Sequence, residues 1–239
     1  MEDPDAKYCR PCDYAARTHA HRRRLFRFSH LRRLTLARDF LDVGPESRVL
    51  DYGSGDGYLL GLLLPHAPIE NFTAIEPFDF LQAELVQRFG ERIRIVNSSL
   101  DLASASFDRI ACLEVLEHLQ PNVVQETLAE FERLLAPDGI LVVSVPIEVG
   151  PAVLFKYVAA MALTRMDRRY SVPELARATL GLPVRRDPTM KFLPHKGFDF
   201  RETRRFLGQR FRMERETFSP VSWLGWALNA QVVWRFRHR

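Results

Sequence analysis

The fold is decided by one stretch, Arg48-Val-Leu-Asp-Tyr-Gly-Ser-Gly-Asp-Gly-Tyr58. Val49 and Leu50 read as a buried strand, Asp51 closes it, and Gly53, Gly55 and Gly57 follow at alternate positions. Glycine lets the main chain turn where a Cβ would forbid it, and lets a ligand approach the backbone closely. A helix begins near Tyr58, runs through Leu62 to Leu64 and stops at Pro65. Its first turn offers unpaired N–H groups and the positive end of the helix dipole. A dinucleotide fingerprint would require glycine where Tyr58 stands, so the spacing is D-x-G-x-G-x-G instead.

Working outward, Phe72-Thr-Ala-Ile-Glu76 reads as a second buried strand ending in an acid before Pro77. Glu76 follows Asp51 by 25 positions, where a carboxylate at a strand tip can accept hydrogen bonds from both hydroxyls of a ribose. Phe80–Phe89 is an amphipathic helix closed by Gly90, and Arg92–Val96 alternates as a third strand. Phe107–Glu114 is the fourth strand. Pro121 opens a helix with Val124, Leu128, Phe131 and Leu135 on its core face. Pro137-Asp-Gly139 is expected to turn the chain into Ile140–Val145, a fully apolar fifth strand. A helix over Phe200–Gly208 and two strands, Phe211–Phe218 and Gln231–Phe236, complete an α/β pattern.

Three segments together, D-x-G-x-G-x-G at 51–57, F-D-R-I-A-C-L-E-V-L-E-H-L at 107–119 and L-L-A-P-D-G-I-L-V-V-S-V-P at 134–146, resemble the class I S-adenosylmethionine (SAM) methyltransferases. The resemblance covers roughly residues 48–146. It implies a Rossmann-like, seven-stranded, mostly parallel sheet with an antiparallel last strand, with the sixth and seventh strands paired at one edge. It implies SAM as cofactor. Asp51, Gly53, Ser54, Gly55 and Gly57 would hold its methionine part, and Glu76 its ribose. Ser98, Ser99 and Leu100 stand where the family usually places an adenine-binding aspartate, with Asp101 slightly later. The domain would comprise residues 45–146 and 198–239, preceded by a helical lead at 1–44 and interrupted by a substrate cap at 147–197.

Glu114-Val-Leu-Glu117-His118 carries the candidate chemistry. On a helix, positions i, i+3 and i+4 share a face. Two carboxylates and an imidazole there, with His195 as a distal fourth ligand, form a candidate Mg²⁺ or Mn²⁺ site. This E-x-x-E-H plus distal histidine is similar to the ubiquinone-type O-methyltransferases and to the small-RNA 3′-end 2′-O-methyltransferases, both metal-using, although H-K-G-F-D-F inserts a glycine relative to the latter. Without a metal, His118 or His195 would be the base and Glu114 a cofactor or substrate contact. The expected activity is methyl transfer to a small molecule, at a hydroxyl oxygen. Transfer to RNA ends and a catalytically silent SAM-binding scaffold are the alternatives.

Composition narrows the partners. In 239 residues, 46% are hydrophobic, enough for a large core, and no apolar run is long enough to span a bilayer. The polar, acidic start shows no secretory signal, so a cytoplasmic protein without stable membrane insertion is expected. The net charge of +4 is carried mostly by arginine. Clusters at Arg22–Arg24, Arg32-Arg33, Arg168-Arg169 and Arg204-Arg205 are expected to be solvated helix faces rather than sites for phosphate or anionic substrates, and nucleic acid is not an expected partner. Three cysteines argue against a disulfide framework, and Cys112 is expected to be buried. Cys9 and Cys12 with His19 and His21 lack ordinary zinc spacing. Thr18–Leu41 reads as a helix with Leu25, Phe28, Leu31 or Arg32, Leu34 and Leu36 on an apolar stripe and arginines opposite; the resemblance implies that this leading segment folds over the cofactor pocket, where an arginine or tyrosine would touch substrate. In the cap, helices over Pro151–Leu163 and Pro173–Leu180 flank a basic stretch at Arg165–Tyr170; membrane-surface docking of the first is a minor alternative. Trp223 and Trp226 line the pocket, pack, or face a homodimer partner.

Overall fold

The computed structural model describes residues 24–164, 170–187 and 189–239. The Cys9, Cys12, His19 and His21 group, the start of the leading helix and most of the basic stretch at 165–170 lie outside the described residues. The elements are α1 (Arg24–Leu41), β1 (Val49–Tyr52), α2 (Tyr58–Leu63), β2 (Phe72–Ile75), α3 (Asp79–Phe89), β3 (Arg94–Val96) and β4 (Phe107–Leu113), followed by α4 (Pro121–Leu134) and β5 (Leu135–Pro146). Then come α5 (Pro151–Thr164), α6 (Val172–Thr179), α7 (Phe200–Arg210), β6 (Phe211–Ser219) and β7 (Gln231–His238).

One seven-stranded sheet runs in the order β3-β2-β1-β4-β5-β7-β6. β1 to β5 are mutually parallel, and β7 is antiparallel to both β5 and β6. The Rossmann-like sheet with its antiparallel last strand is therefore present. Successive strand residues face opposite layers. Val49, Ala111, Val142 and Val233 pack under Phe40, Leu60, Leu63 and Leu85 from α1, α2 and α3. Leu50, Ile110, Val143 and Trp234 pack on the other side under Leu128, Phe131 and Leu207 from α4 and α7. A smaller cluster, Val153, Tyr170, Ala178 and Val184, joins α5 to α6. Cys112 is fully buried, as expected.

Some local expectations shift. Pro137-Asp-Gly139 does not separate helix from strand: β5 starts at Leu135, and the three residues fall where its register against β4 slips between Phe107 and Arg109. The Asp138 carbonyl there accepts from Arg237 Nη1 at 2.7 Å, so the irregularity is tied to the neighbouring strand. On α1 the buried face is Arg33, Leu34, Leu36, Ala37, Phe40 and Leu41, while Phe28 is exposed. Arg33 is only 5% exposed, so the Arg32-Arg33 pair is not a solvated face. It precedes Ala37 by one helical turn and looks onto the ends of β4 and β5.

Candidate active site

At the carboxyl ends of β1, β2 and β4 the chain builds a cradle. Gly53 and Ser54 donate their N–H groups to the Ile75 carbonyl at 2.8 and 3.1 Å, clamping the glycine turn to the end of β2. The Ser54 hydroxyl donates to the Asp51 carbonyl at 2.8 Å. Gly53 and Gly57 have φ of 78° and 71°, a left-handed region costly for other residues. A Cβ at Gly53 would collide with Val115, and one at Gly57 with Phe89 and Leu85 at 2.5 and 2.6 Å.

Two buried acids face this loop. Glu76 accepts from the Gly55 N–H at 2.8 Å and the Phe78 N–H at 3.1 Å. Burial raises its affinity for a proton, opposed by those two hydrogen bonds. Asp51 is pushed up to about 7, chiefly by burial and then by the charges of Glu76 and Asp56. Its Oδ2 is buried with no hydrogen-bond partner among the described residues. An unsatisfied buried carboxylate oxygen beside a glycine cradle is an energetic deficit that a cationic or hydrogen-bonding ligand would relieve.

The adenine-side expectations land differently. The Ser99 hydroxyl donates to Glu130 Oε2 at 2.9 Å, and its carbonyl accepts from Arg133 at 3.1 Å. The Leu100 side chain is 83% exposed. Ser98 is half-buried at the end of β3.

The segment after β4 is not the α-helix that its i, i+3, i+4 spacing suggests. Glu114 has φ of 58°, and Leu116–His118 form a single 3₁₀ turn. The kink sends Glu114 away from its expected companions. Its Oε1 accepts from the Ser144 hydroxyl at 3.0 Å, and its Oε2 lies 3.3 Å from Arg33 Nη1. Glu117, His118 and His195 do come together, without Glu114. Their facing atoms are close: His195 Nε2 to His118 Nε2 is 3.3 Å, and Glu117 Oε1 lies 3.8 and 3.7 Å from those nitrogens.

Several residues hold this trio. His118 Nδ1 lies 2.8 Å from the Leu193 carbonyl, which can only accept, so Nδ1 carries the hydrogen and Nε2 turns its lone pair toward His195. Leu193 N–H returns a hydrogen bond to the His118 carbonyl at 2.9 Å. Arg186 ties the two segments, donating to the carbonyls of Glu117 and Pro194. Burial lowers the proton affinity of His118, against the opposing effect of its bond to Leu193, so the neutral imidazole is favoured. Glu117 is fully buried, and neither carboxylate oxygen has a hydrogen-bond partner among the described residues. Burial first, and the nearby Glu114 second, push its carboxyl well above the ordinary range.

The two parts of the site touch. Val115, between Glu114 and the trio, packs over Gly53. Phe192, beside Leu193, meets Phe78 just beyond Glu76, with ring centroids 5.4 Å apart.

Residues 19–180 match the model of a family described as a methyltransferase domain. The chain belongs to that family. A curated relative, an uncharacterised protein of Synechococcus sp., is 35% identical over 130 residues, which are 51% of this chain and 31% of that protein. The chain thus spans about a third of the relative's length. The chain is also similar to the Burkholderia thailandensis 1,6-didemethyltoxoflavin-N1-methyltransferase, solved with bound 1,6-didemethyltoxoflavin and S-adenosylhomocysteine. The TM-score is 0.58 at 21% identity, covering 100% of this chain and 91% of that one. The N-methyltransferase NodS of Bradyrhizobium japonicum, solved with S-adenosylhomocysteine, matches with a TM-score of 0.55 at 17% identity over 88% and 87% of the chains. These likenesses establish the fold.

Within this methyltransferase domain the sequence alone did not single out Arg33, Ser144, Arg186 or Phe192. Arg33 carried one readable signal, a charge at the position one turn before Ala37 on the core face of α1. Ser144 acts through its hydroxyl on a carboxylate 30 positions away, Arg186 through backbone carbonyls and Phe192 through packing, none of which short-range spacing reveals.

Proposed function

We propose that this protein transfers a methyl group from SAM to a hydroxyl oxygen of a small-molecule acceptor. The observation that carries the reading is the orphaned, fully buried Asp51 Oδ2 in a cradle that admits no Cβ at Gly53. Asp51 and the Gly53, Ser54, Gly55 and Gly57 loop would hold the methionine part. Glu76 keeps lone pairs beyond its two backbone hydrogen bonds and would take the ribose hydroxyls. The backbone at Ser98, Ser99 and Leu100 would border the adenine, and Glu114 would sit at the reacting end. Bound there, SAM supplies an electrophilic methyl on a sulfonium. The chain's own residues then align the acceptor, exclude water and remove a proton. His118, held neutral by burial, is the proposed base. The acceptor proton would reach it through His195, which would give its Nε2 hydrogen to His118 Nε2 across the 3.3 Å contact as its other ring nitrogen takes the acceptor proton, and Phe78 against Phe192 shields the site.

A second reading adds a divalent cation, and one observation favours it. Glu117 buries an unpartnered carboxylate between two imidazole nitrogens whose spacings approximate those of ligands around one small ion. Glu117, His118 and His195 would hold Mn²⁺ or Mg²⁺, whose chemistry is to make the acceptor hydroxyl more acidic. Glu114 is excluded from this set by its engagement with Ser144 and Arg33.

Calorimetric titration with S-adenosylhomocysteine tests the first reading. Binding tighter than ~1 mM that Asp51→Ala abolishes supports it, and no binding to the wild type overturns it. Labelled-methyl transfer to phenols, catechols and RNA 3′ ends then separates the acceptors. Titration of the loaded protein with Mn²⁺ tests the second reading: binding lost in both His195→Ala and Glu117→Gln supports it, and no binding ends it.

A further inference from the structure

Among the described residues, the exposed large hydrophobic side chains are not scattered. Ten of thirteen fall in two stretches, 154–182 and 223–228. On α5, Leu154, Phe155, Val158 and Met161 recur at helical spacing on one face, with Phe155 61% and Val158 56% exposed. The opposite face is anchored by buried Ala152 and Val153. The only charged residue in this helix, Lys156, is turned inward: its Nζ donates to the Ile147 carbonyl at 2.7 Å, Glu148 Oε1 at 2.9 Å and the Ala230 carbonyl at 3.1 Å. The outer face therefore carries no charge. The β6–β7 connection extends it. Its Trp226–Leu228 turn packs on α5, with the Trp226 ring against Gly150, while Trp223 stands 82% exposed.

Charge is concentrated on the same segment. Residues 147–197 hold nine Lys or Arg against four Asp or Glu, an excess of five, while the whole chain has an excess of four. The rest of the protein is thus slightly acidic. Two of the four acids are neutralised locally, Glu148 by Lys156 and Glu174 by Lys196, at 2.9 and 2.7 Å. The sequence leaving α5 is Arg165-Met-Asp-Arg-Arg169.

We propose that the outer face of α5, with Trp223 and Leu228, docks this protein on an anionic lipid surface. An uncharged apolar helix face in a segment of basic composition, with an exposed tryptophan in the connection that packs on it, suits the water–lipid boundary. Charge complementarity selects this occupant. A second copy meeting the patch across a two-fold axis would set one basic segment against another, whereas anionic headgroups attract each basic residue. No helix among the described residues is long and apolar enough to cross a membrane, so the docking is peripheral.

Co-sedimentation of the full chain with vesicles tests this, using phosphatidylcholine alone or mixed with phosphatidylglycerol, at low and high salt. Binding to the anionic vesicles should exceed binding to the neutral ones by roughly tenfold or more and weaken with salt. The double variant Phe155→Glu/Val158→Glu should lose about tenfold. Trp223→Ser, at a site too exposed to support the fold, should lose less while keeping a wild-type melting curve. Equal binding to both vesicle types, no binding, or full binding by both variants overturns the proposal. So does a wild-type dimer that the double variant dissociates without any lipid binding. The readout involves neither SAM nor methyl transfer, so the result is independent of the catalytic reading.

Discussion

The glycine cradle and the trio of Glu117, His118 and His195 lie side by side, yet they are built in opposite ways. The cradle is local: residues 51–57 meet Ile75 and Glu76 one strand away, and backbone N–H groups make most of the contacts. The trio is long-range: His118 and His195 are 77 positions apart and meet where Leu193, Arg186 and Gln120 bind the two segments together. A local device is specified by residue types at fixed spacing. A long-range one is specified by how a whole segment docks, so it should respond separately to substitution.

The sharpest way to break that separation is Gly53→Val. The new side chain would be forced into a left-handed backbone and into Val115, which leads directly to Glu117 and His118. Affinity for S-adenosylhomocysteine should fall roughly 100-fold or more by calorimetry, with ~2–4 kcal/mol lost in urea unfolding. His195→Ala is the contrasting variant. Its ring faces Glu117 and His118 rather than the glycine cradle, so cofactor affinity should stay within about threefold while methyl transfer falls by ~100-fold or more. If both variants lose cofactor equally, the two regions are one unit.

Asp51→Asn separates stability from function inside the cradle. A carboxyl held near 7 in the folded protein, against an ordinary value of 3.8, binds a proton more tightly when folded than when unfolded. Its contribution to stability is therefore full below the unfolded value and is lost as pH rises to about 7. At pH 8 the buried charge is a cost, and asparagine removes it. The variant should be more stable than wild type by ~1–3 kcal/mol at pH 8 and no more stable at pH 4. It should nevertheless bind S-adenosylhomocysteine about tenfold more weakly or worse. Thermal melts at the two pH values check the sign. A difference between variant and wild type that is the same at both pH values would mean that Asp51 is solvated.

How much of this was legible follows the same division. The individual strands, the glycine turn and the acid at the tip of β2 could be read because each rests on short-range periodicity or spacing, whereas the mostly parallel sheet with its paired last strands came only from the family resemblance. The helical-face argument for Glu114, Glu117 and His118 failed for a physical reason: Glu114 takes a φ of 58°, and one residue of that kind breaks the i, i+3, i+4 register. His195 could be named from its type, but Leu193 and Arg186 could not, since they hold the trio through backbone carbonyls. The solvated reading of Arg33 failed because its core-face position, one turn before Ala37, outweighs its charge once it pairs with Glu114, which lies 81 positions away.

That ion pair offers a mid-sized test of how α1 is tied to the site. Arg33→Met keeps the length and apolar stem but strands Glu114. We expect ~1–3 kcal/mol of destabilisation, and a double-mutant cycle with Glu114→Gln should recover a coupling of ~1 kcal/mol or more. Additive effects would show that the 3.3 Å contact carries no net energy.

The smallest expected effect concerns Leu100, where the sequence named a position but could not name a reason. Its side chain is 83% exposed, so leucine itself has little to contribute to adenine binding. If the residue borders the cofactor, its backbone N–H is the group with something to offer. Leu100→Ser should leave S-adenosylhomocysteine affinity within about twofold, because the N–H is unchanged. Leu100→Pro deletes that donor and should weaken binding by roughly threefold to tenfold. A loss with serine but not with proline would invert the argument and make the side chain the contact. A backbone contact would also explain why the adenine side was the hardest part of the cradle to read: any residue except proline supplies the same group, so the position has no spelling.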